Sequence, residues 1–180
     1  MSRIGKMPIH LPEGVKVELN GNTITVSGKL GTLTREIDSK IKLEQKENEL
    51  VLTRDNNEGE TRAKHGLYRA LIHNMVVGVT EGFKKTLIVK GVGYRLTKQG
   101  NKLVMNIGFS KPVEVDEPEG IKLETLDADK VVVSGIDKEY VGQVAAKIRA
   151  LKPVEPYHLY GIRYIDEVVV QKEGKKVGKK

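Results

Sequence analysis

The 180-residue sequence contains no cysteine, so it forms no disulfide and offers no thiolate to a metal, which suits a reducing compartment. No apolar run approaches the roughly 20 residues that a bilayer-crossing helix needs, and no signal-peptide h-region follows Met1. A soluble, cytoplasmic protein without a membrane partner is therefore expected. The common catalytic motifs are missing as well. There is no Gly-x-x-x-x-Gly-Lys-Ser/Thr loop to cradle phosphates, and Ser134 does not sit in a Gly-x-Ser-x-Gly elbow. His10, His65, His73 and His158 never stand four apart as on a zinc-binding helix, and a metal site would have to gather carboxylates from distant segments. His65 and His73, eight apart on a polar helix, read as solvated side chains. Asp166 and Glu167 are adjacent, and neighbours in an exposed strand point to opposite faces, which makes them a poor acid–base pair. No enzyme, cofactor, metal or small-molecule substrate is expected.

The chain is basic, with 31 Lys and Arg against 24 Asp and Glu, but the excess is unevenly placed. Residues 1–82 carry 12 cations against 11 anions, residues 83–171 carry 14 against 12, and residues 172–180 carry 5 against 1. A nearly neutral body with a basic end points to a localised contact with a polyanion, or to a tail that only solubilises.

Residues 15–54 read as a run of short antiparallel strands with one buried face. Val15, Val17 and Leu19 alternate with polar residues, Asn20-Gly21 supplies a tight turn, and Ile24 and Val26 resume the alternation. Gly28 and Gly31 bracket a second turn, Leu33 to Ile37 forms a further strand, and Ile41 to Leu43 and Leu50 to Leu52 flank a polar turn at Asn48. A helix is predicted from about Glu60 to Val79, with Leu67, Ala70, Leu71 and Met75 on its buried face and Arg62, His65, Arg69 and His73 mostly directed elsewhere. Gly78 and Gly82 then loosen the chain, which places a boundary near Gly82.

The second half repeats the first at an offset of 80 residues. Ile41-Lys42-Leu43-Glu44 recurs as Ile121-Lys122-Leu123-Glu124, Gly28 as Gly108, Leu33 as Val113, Val51 as Val131, and Arg69-Ala70-Leu71 as Arg149-Ala150-Leu151. A second helix carries Val141, Val144, Ala145, Ile148 and Leu151 at intervals of three and four, with Asp137 as N-cap and Pro153 as its stop. The fold expected is α+β: two tandem homologous domains, 1–82 and 83–171, each a small antiparallel sheet packed against one helix, followed by a basic tail, 172–180. Between the repeats, Gly91-Val92-Gly93 lacks the third glycine of a dinucleotide loop, because Leu96 stands there, and no helix pattern follows. These glycines read as a bulge or close backbone approach within a long strand spanning Lys84 to Lys98.

The stretch from Pro153 onward concentrates the candidate binding chemistry. Pro153 and Pro156 fix an extended loop, Tyr157, Tyr160 and Tyr164 offer flat faces, and His158, Arg163 and the tail lysines supply positive charge. Together these make a docking surface for RNA; a proline-bounded surface loop with a solvated tail is the alternative. Lys147 and Lys152, on or beside the second helix, extend the basic surface or form a solvated face. The arm Ser2-Arg3-Ile4-Gly5-Lys6, ended by Pro8, reads as extended, and either touches RNA or frays. A protein-interaction module with a solubilising tail stands beside the RNA-binding reading.

Pro156-Tyr157, Gly161-Ile162-Arg163-Tyr164, Glu167 and the tail lysines resemble the signature of ribosomal protein six of the large subunit, the uL6 family. The Ser2 arm and Gly91-Val92-Gly93-Tyr94-Arg95 are similar to that family too. One departure stands out: His158-Leu159-Tyr160 occupies the place of the family's Lys-Gly-Lys. The resemblance implies a two-domain structural protein, present once per cytoplasmic ribosome. It also implies binding to 23S ribosomal RNA near the stalk base and factor-binding region, beside neighbouring ribosomal proteins. On that reading the RNA-binding residues are Tyr157, His158, Arg163 and Tyr164 in the loop, Lys152 beside it, Lys172, Lys175 and Lys176 in the tail, and Arg3 and Lys6 in the arm.

Overall fold

The computed structural model describes residues 4–46 and 48–175. The chain divides into two compact units with the break between Phe83 and Lys84, and Ile136–Lys138 group with the first. In the first unit, β1 (Ile9–His10), β2 (Lys16–Asn20), β3 (Thr23–Ser27), β4 (Thr32–Glu36), β5 (Ile41–Lys46) and β6 (Glu49–Arg54) precede helix α1 (Gly59–Thr80). They form two three-stranded sheets, ordered β2-β3-β4 and β1-β6-β5. Ile24, Val26, Ile41, Leu50 and Leu52 from these strands close on Ile72, Met75, Val76 and Val79 of α1. Burial of such side chains contributes about 1.5–3 kcal/mol each and drives the packing.

The helix forms where periodicity places it, but its buried face is rotated from expectation. Thr61, His65, Ile72, Met75, Val76 and Val79 point inward, while Leu67 is 53% exposed. His65, read as solvated, is only 3% exposed and bonds the Leu52 carbonyl through Nε2 at 3.0 Å. Gly78 lies buried inside α1, whereas Gly82, at φ 74°, ends it by donating to the Val77 carbonyl. In the β2–β3 hairpin the turn residues are Gly21 and Asn22, one place later than expected, because Asn20 still pairs with Thr23 and the positive φ of 62° falls on Gly21.

The second unit repeats this plan. β7 (Phe83–Lys90), β8 (Arg95–Gln99), β9 (Lys102–Asn106), β10 (Val113–Asp116), β11 (Ile121–Asp127) and β12 (Lys130–Gly135) precede helix α2 (Lys138–Leu151), and β13 (Gly161–Tyr164) follows it. The order β10-β9-β8 reproduces β4-β3-β2, and β11-β12-β7 reproduces β5-β6-β1. The tandem α+β duplication is thus present in the topology, with the strands of each unit shared between two small sheets.

The structure departs from the sequence pattern at two further places. The long strand across Gly91 and Gly93 does not exist: β7 stops at Lys90, the chain turns, and β8 joins the other sheet. The close approach is real, since a Cβ on Gly91 would lie 2.4 Å from the Tyr94 ring. Asp166 lies in a turn after β13, and Glu167 follows it, so neither belongs to an exposed strand.

Among the described residues, the element without a counterpart in the first unit is β13, added to the outer edge of β7 with Ile162 opposite Val89 and Tyr164 opposite Leu87. The equivalent edge of β1 is short and flanked by Pro8 and Pro12, whose missing N–H groups discourage strand addition.

Candidate nucleic-acid interface

Helix α2 ends at Leu151, and the chain is caught immediately. Ile162 donates its N–H to the Lys152 carbonyl at 2.8 Å, and Pro153 bridges Ile162. Glu155 N–H reaches the Tyr160 carbonyl at 2.9 Å, closing the loop between them. The loop is therefore a compact turn and not the extended segment expected from its prolines. It returns through β13, whose Ile162 is fully buried.

Glu155 organises the turn. Its carboxylate accepts the backbone N–H of His158 at 2.6 Å and of Tyr157 at 3.3 Å, and lies 3.1 Å from His158 Nδ1. Loss of solvent around Glu155 pushes its carboxyl up, but the two amide donors and His158 outweigh this and hold it below its ordinary range. Leu159 then adopts φ 62°, the left-handed conformation that a glycine takes freely and a leucine at a cost of about 1–2 kcal/mol. His158 and Tyr160, on either side of it, stack with centroids 5.5 Å apart and planes 18° apart. The segment after β13 folds back along the turn, with Lys172 N–H on the Pro156 carbonyl at 2.9 Å and Gln171 Nε2 on the Tyr157 carbonyl at 2.7 Å. Between them lies an open cleft of about 650 Å³ lined by Tyr157, His158, Gln171, Lys172, Glu173 and Gly174. Replacing Leu159 with Gly is expected to stabilise the protein by about 1 kcal/mol, read as a higher urea midpoint; an unchanged or lower midpoint would show that the leucine side chain repays its backbone strain.

The candidate residues separate into groups. Tyr157, His158, Lys172 and Lys175 are exposed, and the first three line the cleft. Arg163 is half-buried on β13 opposite Ile88; its buried Nε has no hydrogen-bond partner, and its charge helps to hold the Glu167 carboxyl down. Lys152 lies over the Phe109 ring at 4.7 Å. Tyr164 is not displayed for stacking in the way Tyr157 is: half-buried, its ring is approached by Lys85 and Arg149, 5.6 and 5.7 Å from the centroid. Lys6 is exposed on a turn made by Ile4–Met7, so this part of the arm is not extended. Beside it Gly5 sits against the buried His65, where a Cβ would lie 2.5 Å from Nδ1. Arg3 and Lys176 lie outside the described residues.

Sequence reading named Arg149 and Glu167 but missed the pair they make, which holds the surface together. Arg149 donates through Nε to Glu167 Oε2 at 2.8 Å and through Nη2 to Oε1, while Glu167 Oε2 also accepts the Tyr164 N–H at 3.1 Å. Bonded chiefly by Arg149, Glu167 is held below the ordinary carboxylate range. The repeat carried a signal for this. Arg69, the counterpart of Arg149, donates to the Met7 and Pro8 carbonyls, both at 3.3 Å, so each unit uses the same arginine to fasten the segment beside its sheet edge. Among the described residues no three His, Asp or Glu side chains gather as a metal site, and no helix is long and apolar enough to cross a membrane.

A duplicated α+β protein with an ordered, cation-bearing loop on its second unit is the class that these features define. The model of the family described as ribosomal protein L6 matches residues 11–82 and 90–165, one segment for each repeat. The chain is 50% identical to large ribosomal subunit protein uL6 of Carboxydothermus hydrogenoformans over 99% of its length and 98% of the relative's. It is 52% identical to the protein of the same name from Caldicellulosiruptor bescii and 53% identical to that from Clostridium kluyveri, each across the whole of both chains. The chain belongs to the ribosomal protein L6 family, whose members are structural components of the ribosome and not enzymes.

Proposed function

We propose that the chain is a structural constituent of the large subunit of the cytoplasmic ribosome, present in one copy. It binds 23S ribosomal RNA near the stalk base and factor-binding region, beside neighbouring ribosomal proteins. The observation that carries the RNA-binding reading is the loop from Pro153 to Tyr164. It is ordered by Glu155, Arg149 and Glu167, yet Tyr157, His158 and Lys172 are left facing an open cleft. Full-length likeness to proteins named for the large subunit supports the same reading. The domains divide the work: residues 83–171 carry the RNA-binding loop, 172–180 add phosphate-neutralising charge, and 1–82 form a companion unit with a basic arm. Where the RNA is duplex, recognition rests on shape and backbone, since a duplex exposes little sequence in its grooves.

Sedimentation of the tagged protein from lysate, followed by a high-salt wash of the large particle, tests the assignment. Retention at one copy per particle is expected, and sedimentation as free protein would overturn it. Arg163→Ala should weaken binding to transcribed 23S RNA about fivefold and leave the folded state intact by circular dichroism. Each phosphate contact contributes about −0.7 to −0.9 to the slope of log affinity against log salt, so a slope near zero would favour a protein-interaction module.

A further inference from the structure

We infer that His158 and Tyr160 form a platform that stacks one unpaired nucleobase of the bound RNA, an inference that rests on the RNA-binding reading above. The rings lie in offset-stacked geometry, with Tyr160 half-buried behind and the His158 side chain 71% exposed in front. The outer face of the imidazole is therefore open, while its inner face is covered. The ring is also fixed before any ligand arrives, because Glu155 holds both the His158 amide and Nδ1. A group already immobilised loses little entropy on binding.

The same carboxylate argues against a phosphate at this position. Any positive charge on His158 is already compensated 3.1 Å away by Glu155, and a phosphate would meet that carboxylate's repulsion. A flat, weakly polar nucleobase meets no such penalty. Leu159 keeps the two rings on one side of the turn through its left-handed backbone, and strain of that kind persists where surrounding structure enforces it. The adjoining cleft supplies what a stacked nucleotide needs next: Gln171, whose Nε2 is engaged by the Tyr157 carbonyl, lines it with its amide oxygen left to accept from a base edge, and Lys172 lines it as a cation for the flanking phosphate. Faces of paired bases are hidden inside a duplex, so the target is a base in a bulge, loop or end.

The test compares full-length variants for binding to transcribed 23S ribosomal RNA across a salt series. His158→Ala should weaken binding about tenfold, the usual cost of losing one aromatic–base stack, without changing the salt slope. His158→Phe should recover most of the binding that His158→Ala loses, because the flat face is kept, and fall slightly short of the parent because the contact with Glu155 is lost. The pair Lys172→Ala and Lys175→Ala serves as the phosphate control and should flatten the slope. If His158→Ala instead flattens the slope by about 0.7–0.9, the residue contacts phosphate and the platform is wrong. If both His158 variants bind like the parent while Arg163→Ala or the lysine pair weakens binding, the RNA-binding reading stands and the platform is overturned. Failure of the parent chain to bind the transcript overturns both.

Discussion

Gly161→Ala should destabilise the second unit by about 3–5 kcal/mol, the sum of backbone strain and a clash that cannot relax. Gly161 opens β13 at φ 138°, a conformation that side chains rarely adopt. A Cβ there would also lie 2.6 Å from the Pro153 carbonyl oxygen and 2.7 Å from Val154 Cα. Both are backbone atoms, and neither can swing aside as a side chain would. The strand would have to move away from Pro153. The hydrogen bond from Ile162 to Lys152 and the seat of the fully buried Ile162 would be lost with it. Urea unfolding followed by near-ultraviolet tyrosine signal measures the effect. Gly142, on α2 with open space where its Cβ would point, is the control: Gly142→Ala should stabilise by up to about 1 kcal/mol through helix propensity. A Gly161→Ala midpoint equal to that of the parent would mean that β13 is not held by the close approach.

Much of the fold was legible because it rests on short-range pattern. The alternation of Ile24 with Val26, the spacing of Val141, Val144, Ala145 and Ile148, and the offset of 80 residues all report local or repeated structure, and the strands, helices and duplicated topology followed from them. What failed were facts fixed by tertiary partners. Leu67 has the right spacing to lie on the buried face of α1, but the sheets meet the helix on the side of His65, Ile72 and Met75. His65 looks solvated in sequence and becomes buried because Leu52 offers its carbonyl and Gly5 leaves room for the ring. The run at Gly91 to Tyr94 reads as one strand because nothing local announces that the chain leaves one sheet for the other.

The loop shows the same division. Its prolines, tyrosines and cations were visible, yet they marked it as an extended loop, when Gly161–Tyr164 is a strand with Ile162 in the core. Glu155 passed unnoticed since an isolated glutamate has no pattern; its role exists only because Tyr157 and His158 present their amides to it. Leu159 was the most informative residue. It holds a left-handed backbone that a glycine would adopt freely, so the path of the turn is enforced by what surrounds it.

A bidentate pair, Arg149 with Glu167, ties α2 to the segment that follows β13, and Arg149→Met is expected to cost about 2 kcal/mol. The figure lies below that of a fully buried pair because the Arg149 side chain remains partly exposed. Removing the arginine leaves Glu167 with the Tyr164 amide and the more distant charge of Arg163, and takes one of two cations from the Tyr164 ring. The pair also makes a pH prediction of definite sign. Glu167 has its carboxyl lowered by folding, first by the Arg149 bond and then by the Tyr164 amide, so its contribution is present above the unfolded glutamate value of about 4.3 and is lost as pH falls through the folded value. Glu167→Gln should therefore be less stable than the parent at pH 7, by about 1–2 kcal/mol, and the difference should shrink steadily below about pH 4.3 as the parent's carboxyl protonates. Parallel urea titrations of the two proteins from pH 7 to pH 3 would measure it. A difference that stayed constant across that range would mean that the glutamate acts through packing and not through its charge.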